Sequence, residues 1–508
     1  MSIIFLNGCL AALCALLTNS EAARRLPGEK TCLSLGCMAA LLLALSFYAA
    51  LLALSARPWF SGLAATALCL ALWRANALKL AILGEPLLFS DILMTGSALR
   101  FPHLYFDHIP GHVLLLALAG TAGLAIFFLL EPPVPLSGAA RLLAATLALA
   151  PWAFLALLTR QPFDSMSGHI LKYFPLSFLP CDDAARYTPL GAMFLHTLHQ
   201  ARRNHTVLSF PQPKRQTTTV PRAGESLPHL LLVQAESFGP LSPFTGEEHP
   251  LPHIDQAERQ GAGGALALRW SGANTMRTEF AALTGISIDA LETDGFDPYR
   301  LAARRVLPSL AHEARALGYK TVCLHPHDIR FFRRDLVMKN LGFDCLLDER
   351  FFKNEERNGP YVSDAALLKR ALQLLREAEQ PMFLFVITME AHGPWLAGRF
   401  PETSWKNASP LACYIRHLHS LDQGVGTVLE SVASLRRELV FCLYGDHLPS
   451  LPRRPESKNS LDTRWFLWPQ NRILTPLPQR IAPQELRTLL FSCLTDQSQV
   501  LRGSSCGV

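Results

Sequence analysis

Four short apolar runs in the second half of the chain each lead into a polar residue of a type that binds metal ions or phosphate. Short runs rich in branched and aromatic side chains are typical of strands that are buried on both faces of a parallel sheet. In such sheets ligands bind outside the carboxyl ends of the strands, so residues far apart in the chain are predicted to converge on one site. The runs are 230–233, 321–324, 383–387 and 439–444, and they lead into Glu236, His325, His392 and Asp446-His447.

The predicted site combines two carboxylates with several imidazoles, a donor set typical of metal shells. Singly, Glu236 could be a solvated loop acid and Asp446-His447 a turn, so the prediction rests on the joint pattern. The same half of the chain also carries helical patterns over 307–317, 364–379, 411–435 and 483–494. Strands that alternate with helices indicate βαβ units. We therefore predict an α/β domain over residues 229–508, with a mostly parallel central sheet covered by helices.

The front of the chain is mostly Leu and Ala with few charges, and it contains about five apolar stretches: 3–17, 33–54, 60–73, 113–130 and 142–158. Spanning a bilayer takes roughly 17–25 apolar residues. The second, fourth and fifth stretches meet or nearly meet this length and the other two are marginal, so four to six spans fit and we predict five. The first stretch has no basic residue at its start, which favours a span over a signal peptide.

These patterns divide the chain into three predicted parts. Residues 1–160 form a transmembrane domain with about five helices, and residues 161–228 form juxtamembrane helices and a linker, followed by the globular domain. The linker prediction rests on 209–228, which is rich in Pro, Thr, Lys and Arg. Residues 83–105, between the third and fourth stretches, are predicted to form a longer loop along the membrane surface.

Charges do not decide which side of the membrane carries the globular domain. The excess of basic residues that marks cytoplasmic loops occurs in loops on both faces. Arg24, Arg25 and Lys30 lie in the loop after the first stretch, whereas Arg57 and Arg141 lie in loops on the opposite face. The first group favours a cytoplasmic globular domain and the second favours the reverse.

The cysteines and the overall charge are less informative. The twelve cysteines include no CxxC pair, which indicates mostly buried thiols. A disulfide between Cys323 and Cys345 is possible if the globular domain lies outside the cytoplasm. The net charge of +6 suits a protein beside anionic lipid, and no basic-aromatic interleaving indicates nucleic-acid binding.

Residues 271–283 are predicted to form a turn followed by a helix, with Thr275 at or near the helix N-terminus. Free N–H groups and the helix dipole favour an anion at such a terminus. A threonine hydroxyl that also binds a divalent metal ion ionises more easily and becomes a better nucleophile. The alternative is that Thr275 is only an N-cap residue.

Together these motifs resemble those of a known family. The sequences Glu236-Ser237-Phe238, Thr275 followed by Glu279-Phe280, and Gly445-Asp446-His447 resemble the signatures of the lipoteichoic acid synthase and phosphoglycerol transferase family. That family belongs to the alkaline phosphatase–sulfatase superfamily. The resemblance covers nearly the whole chain, because the family also has about five spans before its catalytic domain. It implies a membrane-anchored, sulfatase-like α/β fold.

The resemblance implies a metal site at Glu236, Thr275, Asp446 and His447. The ion is usually manganese in this family, and zinc or magnesium remains open because mixed oxygen and imidazole ligands are tolerant. Thr275 matches the nucleophile. A sulfatase would instead need a Cys or Ser in a formylglycine context, which Thr275-Met276-Arg277 lacks.

The resemblance also implies substrate-binding roles for His392, His325 and Arg334. The chain departs from the family pattern around the last of these. The family often has an acid or amide where this chain has His327, and Trp-Asn where it has Phe332-Arg333. The headgroup pocket is therefore expected to differ, and the role of Arg334 could shift to Arg333 or Arg330.

The implied activity is transfer of a phosphoglycerol headgroup from phosphatidylglycerol to a cell-envelope glycan or polymer through a phosphothreonine intermediate. The catalytic domain is expected on the outer face of a bacterial cytoplasmic membrane. A phosphoethanolamine transferase is the main alternative, and a sulfatase-type or phosphodiesterase-type hydrolase or a non-catalytic membrane sensor is less favoured. The acceptor stays open between surface polysaccharide, periplasmic glucan and a glycerol-phosphate polymer.

Overall fold

The computed structural model describes residues 2–24, 26, 33–102, 109, 111–160, 163–203, 227–270, 272, 274–400, 405–452, 461–469 and 477–495. Most of the predicted linker, as well as Arg25 and Lys30, lies outside these residues. The chain forms two compact units, residues 1–208 and 209–508. The predicted boundaries at 160 and 228 remain predictions.

The first unit is helical. Its described helices are α1 (Ser2–Arg24), α2 (Leu33–Ser55), α3 (Pro58–Leu83), α4 (Phe89–Arg100), α5 (Gly111–Leu130), α6 (Gly138–Leu158), α7 (Asp164–Tyr173) and α8 (Pro180–Arg203). Among the described residues, five of these helices are long and apolar enough to cross a membrane, namely α1, α2, α3, α5 and α6. This confirms the predicted number of apolar helices. The two marginal stretches lie in α1 and α3, which extend past the apolar core of each pattern.

The prediction of a loop over residues 83–105 is wrong for the part that forms α4. The carboxylate of Asp91, in the first turn of this helix, accepts a hydrogen bond from the backbone N–H of Leu88 at 2.7 Å. The ammonium group of Lys79 in α3 lies 2.7 Å from the same carboxylate. Pro86 and Asp91 are residue types that favour turns, but an acid in a first turn also stabilises a helix N-terminus.

Polar side chains inside the membrane helices bond to neighbouring helices. The Ser46 hydroxyl in α2 donates to the carbonyl of Ala148 in α6 at 2.7 Å and accepts from the Trp152 indole N–H at 2.9 Å. The Tyr48 hydroxyl donates to the carbonyl of Ile4 in α1 at 2.7 Å. Because hydrocarbon offers no partner, polar groups within it must be satisfied by protein. These bonds therefore join helices within the bundle.

The second unit is an α/β domain. Its strands are β1 (His229–Ala235), β2 (Ala262–Leu266), β3 (Lys320–Leu324), β4 (Cys345–Leu347), β5 (Arg357–Asn358), β6 (Tyr361–Val362), β7 (Met382–Ile387), β8 (Leu439–Gly445), β9 (Thr463–Trp468) and β10 (Arg480–Ile481). Its α-helices are α9 (Ser242–Thr245), α10 (Pro252–Gln260), α11 (Thr275–Thr284), α12 (Pro298–Ala302), α13 (Leu310–Ala316), α14 (Arg334–Asn340), α15 (Asp364–Glu377), α16 (Pro410–Ser431) and α17 (Glu485–Leu494).

Eight of the described strands form one sheet in the order β10-β2-β9-β8-β1-β7-β3-β4. The run from β8 to β4 is parallel, and β9 pairs antiparallel with β8 and β2. This confirms the predicted mostly parallel sheet, and the four predicted strands are its adjacent members β8, β1, β7 and β3. The carboxyl ends of these four strands therefore lie side by side at one edge.

Both faces of the sheet are covered by helices, as the all-apolar strands require. Leu231 and Val233 of β1 belong to one buried cluster with residues of α10, α15 and α16. Gln234, on the opposite face, reaches a side chain of α11. Alternation of side chains along β1 thus separates an apolar layer from the layer that carries the nucleophile helix.

The strand register argues against the possible disulfide. Val322 is paired with Cys345, whereas Cys323 is paired with Leu346. Paired residues share a face of the sheet and successive residues alternate, so Cys323 and Cys345 point to opposite faces. Both are free thiols.

We predict that Gly445→Ala disrupts the domain. A Cβ at this position would lie 1.7 Å from the carbonyl oxygen of Phe238, a backbone atom that cannot move independently of the loop after β1. Overpacking of this kind costs about 1–3 kcal/mol or more. The melting temperature of the full-length protein in detergent should fall clearly.

Gly398→Ala is the matched control, because a Cβ there would meet nothing within 4 Å. It should leave the melting temperature within about a degree of wild type, as expected for a surface substitution. Equal melting temperatures for the two variants would contradict the close approach at Gly445.

Candidate metal centre and headgroup pocket

The ends of β1 and β8 bring three ligand-type side chains together. Ala235 and Gly445 are paired in the sheet, so Glu236 and Asp446 follow at equivalent positions. Ligand atoms of Glu236, Asp446 and His447 all lie within 4.8 Å of one another, and all three residues are buried. His447 Nε2 lies 3.3 Å from Glu236 Oε1 and 3.3 Å from Asp446 Oδ2. The predicted convergence of these three residues is therefore present in the geometry.

Hydrogen bonds from backbone N–H groups and from the Ser237 hydroxyl hold one oxygen of each carboxylate in place. Asp446 Oδ1 accepts hydrogen bonds from the backbone N–H groups of Ser237 and His447, both at 2.8 Å. The Ser237 hydroxyl donates to Glu236 Oε1 at 2.8 Å. Ser237 has a left-handed backbone conformation with φ of 55°, and its carbonyl accepts from the Tyr414 hydroxyl at 2.6 Å. Such strain persists where surrounding bonds fix the residue, often at functional sites.

The remaining atoms suit a divalent cation. Asp446 Oδ2 is buried and accepts no hydrogen bond from the part of the chain that the structure describes. His447 Nδ1 lies 3.0 Å from the carbonyl of Leu448, so a proton there leaves the Nε2 lone pair facing the two carboxylates. Two carboxylate oxygens and one imidazole nitrogen are ligands that manganese and zinc accept.

The pKa values of Asp446 and His447 are both raised, which reflects burial of the Asp446 carboxyl and the excess of negative charge in this cluster. Burial, and then the charge of Glu236, raise the pKa of Asp446 to about 7. Burial by itself disfavours a charged imidazole, but the carboxylates of Asp446 and Glu236 outweigh it and raise the pKa of His447. A cation bound among these groups would relieve the repulsion between the carboxylates.

Thr275 is the first residue of α11, and Asn274 occupies the N-cap position. The alternative reading of Thr275 as the N-cap therefore does not describe this helix. One turn later, the Thr278 hydroxyl donates to the backbone carbonyl of Asp446 at 2.7 Å, which fixes the first turn of α11 beside the cluster. The Thr275 hydroxyl itself lies close enough to Asp446 to favour the ionised carboxyl. It is 8% exposed.

His392 follows β7, the strand next to β1. Its Nδ1 lies 2.7 Å from the carbonyl of Gly393, so a proton on Nδ1 leaves a lone pair on Nε2. Burial, opposed by that hydrogen bond and reinforced by the charge of His447, lowers the pKa of His392 to about 4. The backbone carbonyl of His392 accepts from the guanidinium of Arg399 at 2.5 Å. A neutral imidazole is thus held near the cluster.

His325 and Arg334 are brought together in the interior. Arg334 Nη1 lies 3.4 Å from His325 Nε2, and both residues are buried. Arg330 and Arg333, the alternative arginines, are exposed at their positions. The guanidinium of Arg330 instead pairs with the neighbouring carboxylate of Asp328. Among the three, Arg334 is the one that the fold directs inward.

Sequence reasoning missed the residues that support this layer. Glu279 stood in the quoted motif without a role, yet its carboxylate holds Arg334 at 2.9 Å. Tyr414 and Arg399 stand in no recognised motif. The one signal for Glu279 is that it is a charged residue among apolar residues of a predicted helix. Charged residues are seldom buried without a partner, so this position predicts a paired acid.

Comparison with known proteins identifies the domain. Residues 228–478 match the family model described as Sulfatase. The second unit is a sulfatase domain of the alkaline phosphatase superfamily. Five apolar helices precede it, so the chain is a membrane-anchored member of this superfamily of enzymes. The predicted resemblance and fold class are confirmed at this level.

Related sequences come from several bacteria. The chain is 26% identical over 460 residues to the capsular polysaccharide biosynthesis protein RkpI of Rhizobium meliloti, covering 88% of this chain and 84% of that protein. It is 31% identical over 237 residues to a putative cyclic beta-1,2-glucan modification protein of the same species, covering 44% and 36%. It is 25% identical over 158 residues to lipoteichoic acid synthase 2 of Bacillus subtilis, covering 28% and 23%.

Among solved structures, the chain is similar to the lipoteichoic acid synthase LtaP from Listeria monocytogenes. The identity is 21% and the TM-score 0.42, over 53% of this chain and 72% of that one. It is also similar to the Streptococcus pyogenes phosphoglycerol transferase GacH, with 22% identity and a TM-score of 0.41, over 52% of this chain and 74% of that one.

We predict that Asp446→Asn stabilises the metal-free protein increasingly as pH rises from about 4 to about 7. The pKa of Asp446 is raised from its ordinary 3.8 to about 7 in the folded state. The folded state therefore binds more protons than the unfolded state across this window, and the stability contributed by the carboxyl is lost as pH rises. The raised pKa of His447 acts in the same direction at higher pH.

The test is the melting temperature of the full-length protein with a metal chelator, from pH 4 to pH 8, for wild type and Asp446→Asn. A change of ~1 kcal/mol shifts the melting temperature of a domain of ~150–250 residues by roughly 2–4 °C, so the difference is measurable. Asp289→Asn, at an exposed acid, is the control. Parallel curves for wild type and Asp446→Asn would show that this carboxyl is not desolvated.

Proposed function

We propose that this protein is a metal-dependent phosphotransferase that moves the phosphoglycerol headgroup of phosphatidylglycerol to a hydroxyl of an envelope glycan or polymer. Thr275 is the nucleophile and forms a phosphothreonine intermediate. The observation that carries this proposal is the position of Thr275. It is the first residue of α11 and lies beside the cluster of Glu236, Asp446 and His447.

Glu236, Asp446 and His447, together with the hydroxyl of Thr275, would hold the metal ion. Manganese is our first candidate, and zinc and magnesium suit the same oxygen and nitrogen ligands. A bound divalent ion would lower the pKa of a nearby hydroxyl and neutralise charge on the phosphoryl oxygens. Ser237 donates from its backbone N–H to Asp446 and from its hydroxyl to Glu236, and these two bonds keep the carboxylate ligands oriented.

In the first step the Thr275 oxygen forms a bond to phosphorus and the bond from phosphorus to the diacylglycerol oxygen breaks. The N-terminal N–H groups of α11 favour the negative charge of the phosphoryl group. In the second step an acceptor hydroxyl forms the new bond to phosphorus, and the Thr275 oxygen leaves. The Nε2 atom of the neutral His392 would accept a hydrogen bond from a substrate hydroxyl. His325 and Arg334 would line the headgroup pocket.

The charges around the pocket favour glycerol over ethanolamine. Beyond the metal cluster, the buried carboxylates of Glu279, Glu390 and Asp364 all accept hydrogen bonds from protein donors, Asp364 from the backbone N–H of Glu390 at 3.4 Å. Glu279 accepts from Arg334 and Gln234, and Glu390 accepts from the ring of His417 at 2.9 Å. None of these three is free to pair with the ammonium group of phosphoethanolamine. An uncharged glycerol needs no such partner.

Relatives support the classes of donor and acceptor. Lipoteichoic acid synthases are named for a polymer, and two other relatives are named for capsular polysaccharide biosynthesis and for cyclic glucan modification. We therefore propose a phospholipid donor and a polysaccharide or glucan acceptor. The catalytic domain, proposed as residues 229–508, would lie outside the bacterial cytoplasmic membrane, where both substrates are found.

We predict that Thr275→Ala lowers transfer by about 10³-fold or more, because the variant lacks the attacking oxygen. The full-length protein is incubated with manganese and with phosphatidylglycerol or phosphatidylethanolamine labelled in the headgroup. Diacylglycerol release and label on the protein are measured. Thr284→Ala is the matched control, because its hydroxyl lies at the far end of the same helix, where it donates to the Phe280 carbonyl at 2.7 Å and accepts from the backbone N–H of Ile286 at 3.2 Å.

Release from phosphatidylglycerol that is lost in Thr275→Ala and kept in Thr284→Ala would establish the proposal. Release from phosphatidylethanolamine alone would establish the phosphoethanolamine transferase instead. Residual transfer by Thr275→Ala close to the wild-type rate would remove this residue from the nucleophile role. Release from neither lipid would overturn the proposed donor class.

A further inference from the structure

Glu279 is a buried acid in the nucleophile helix with no exposure to solvent. Its carboxylate accepts from Arg334 through two nitrogens, with Nη2 to Oε2 at 2.9 Å and Nε to Oε1 at 3.3 Å. Gln234 Nε2 donates to Oε2 at 3.0 Å, and the Tyr299 hydroxyl donates to Oε1. Both oxygens of this carboxylate therefore accept hydrogen bonds from protein groups rather than from solvent.

Arg334 depends on this partner. The arginine is 2% exposed, and burial alone would disfavour its charge. Burial is opposed chiefly by the negative charge of Glu279 and by its hydrogen bond, and together with Tyr299 and Cys323 these raise the pKa of Arg334. A buried pair of this kind is strongly destabilised when one member is removed, because the other is left without compensation.

The bonds also set the protonation of His325. A guanidinium can only donate, so His325 Nε2, 3.4 Å from Arg334 Nη1, must accept. The proton of the ring then lies on Nδ1, 3.3 Å from the carbonyl of Ile387. Burial and the charge of Arg334 lower the pKa of His325, which agrees with a neutral ring. Arg334 therefore fixes both the orientation and the tautomer of this histidine.

The chain of bonds runs across the end of the sheet. The Tyr444 hydroxyl in β8 donates to Gln234 Oε1 in β1 at 2.7 Å, which leaves the Gln234 amide N–H to Glu279. Glu279 joins this pair to Arg334, and Arg334 joins it to His325 after β3. Glu279 also lies four residues after Thr275, about one helical turn or ~6 Å along α11. The same short helix thus carries the nucleophile and the anchor of Arg334.

We infer that Glu279 is a positioning residue for the headgroup pocket: it fixes Arg334, and through Arg334 it fixes His325, at a set distance from Thr275. This inference rests on the proposed function of the same site. The Glu279 carboxylate is fully buried and bonded to Arg334, Gln234 and Tyr299, so its effect on the substrate passes through Arg334. Misplacement of a substrate-positioning group by about 1 Å costs on the order of 10²-fold in rate.

The test is a double-mutant cycle in the full-length protein with Glu279→Gln, Arg334→Gln and the double variant. We expect each single variant to lower kcat/KM for phosphatidylglycerol by ~10–100-fold. The double variant should be no worse than Arg334→Gln alone, because residues that act as one unit are not additive. Manganese affinity, measured by calorimetry, should be unchanged in all three.

Two further measurements separate positioning from stability. Arg334→Gln leaves Glu279 buried and unpaired, so the double variant should have the higher melting temperature of the two. Glu313→Gln is the matched control, because Glu313 forms a partly buried ion pair with Arg487 at 2.5 Å near the other end of α11. It should lower the melting temperature without changing kcat/KM.

Three results would overturn the inference. They are losses of kcat/KM that multiply in the double variant, a loss of manganese affinity in Glu279→Gln, and an equal loss of activity in Glu313→Gln. Failure of the proposed function has a different signature, since the wild-type protein would then release diacylglycerol from neither lipid. In that case the affinity for glycerol phosphate, measured by calorimetry, is compared among the variants in place of kcat/KM. An equal loss of this affinity in both single variants would support the positioning role of Glu279. Unequal losses, or no binding by the wild-type protein, would overturn it.

Discussion

The register between β1 and β8 is the constraint on which the site depends. Ala235 is paired with Gly445, and each strand ends there, so Glu236 and Asp446 emerge side by side. The loop after β1 passes so close to β8 that only a glycine fits at position 445. A shift of one residue in this pairing would send every side chain of a strand to the opposite face and would separate the carboxylates. The close approach of the Phe238 carbonyl opposes that shift, because it would place a residue with a side chain where only Gly445 fits.

Buried charge is handled in two ways in this domain, and the difference marks the site. Glu279 is matched by Arg334 and Glu390 by the ring of His417, so each carboxylate lies against a donor. Glu236 and Asp446 instead lie together, with His447 as their shared imidazole. The result is a raised pKa for Asp446, whose second oxygen accepts no hydrogen bond within the described chain. Structural acids accept hydrogen bonds from protein donors, whereas this pair leaves negative charge for a ligand to neutralise.

The sequence predicted the centre of the sheet better than its margins. Its long apolar strands are recognisable because burial on both faces removes polar residues. Strand β2, with its glycines, and the antiparallel β9 gave no such signal, because they form through pairing with neighbours that are distant in the chain. Helix α4 was taken for a loop because Pro86 and Asp91 suit turns as well as helix starts. For Arg334, the departure from the family pattern left three arginines open, and only the packing of α14 separated the buried one from the exposed ones.

What the sequence determined by itself is the class of the fold, the five apolar helices and the residue types of the site, since these follow from hydrophobic periodicity and from polar residues at strand ends. Tertiary structure decided which of these residues meet. It placed Thr275 on the first residue of α11 rather than at the cap, and it joined Glu279 to Arg334 and His325. Such contacts depend on distances between segments that lie tens to hundreds of residues apart. Local sequence cannot encode them, because they are set by strand register and by the packing of helices against the sheet.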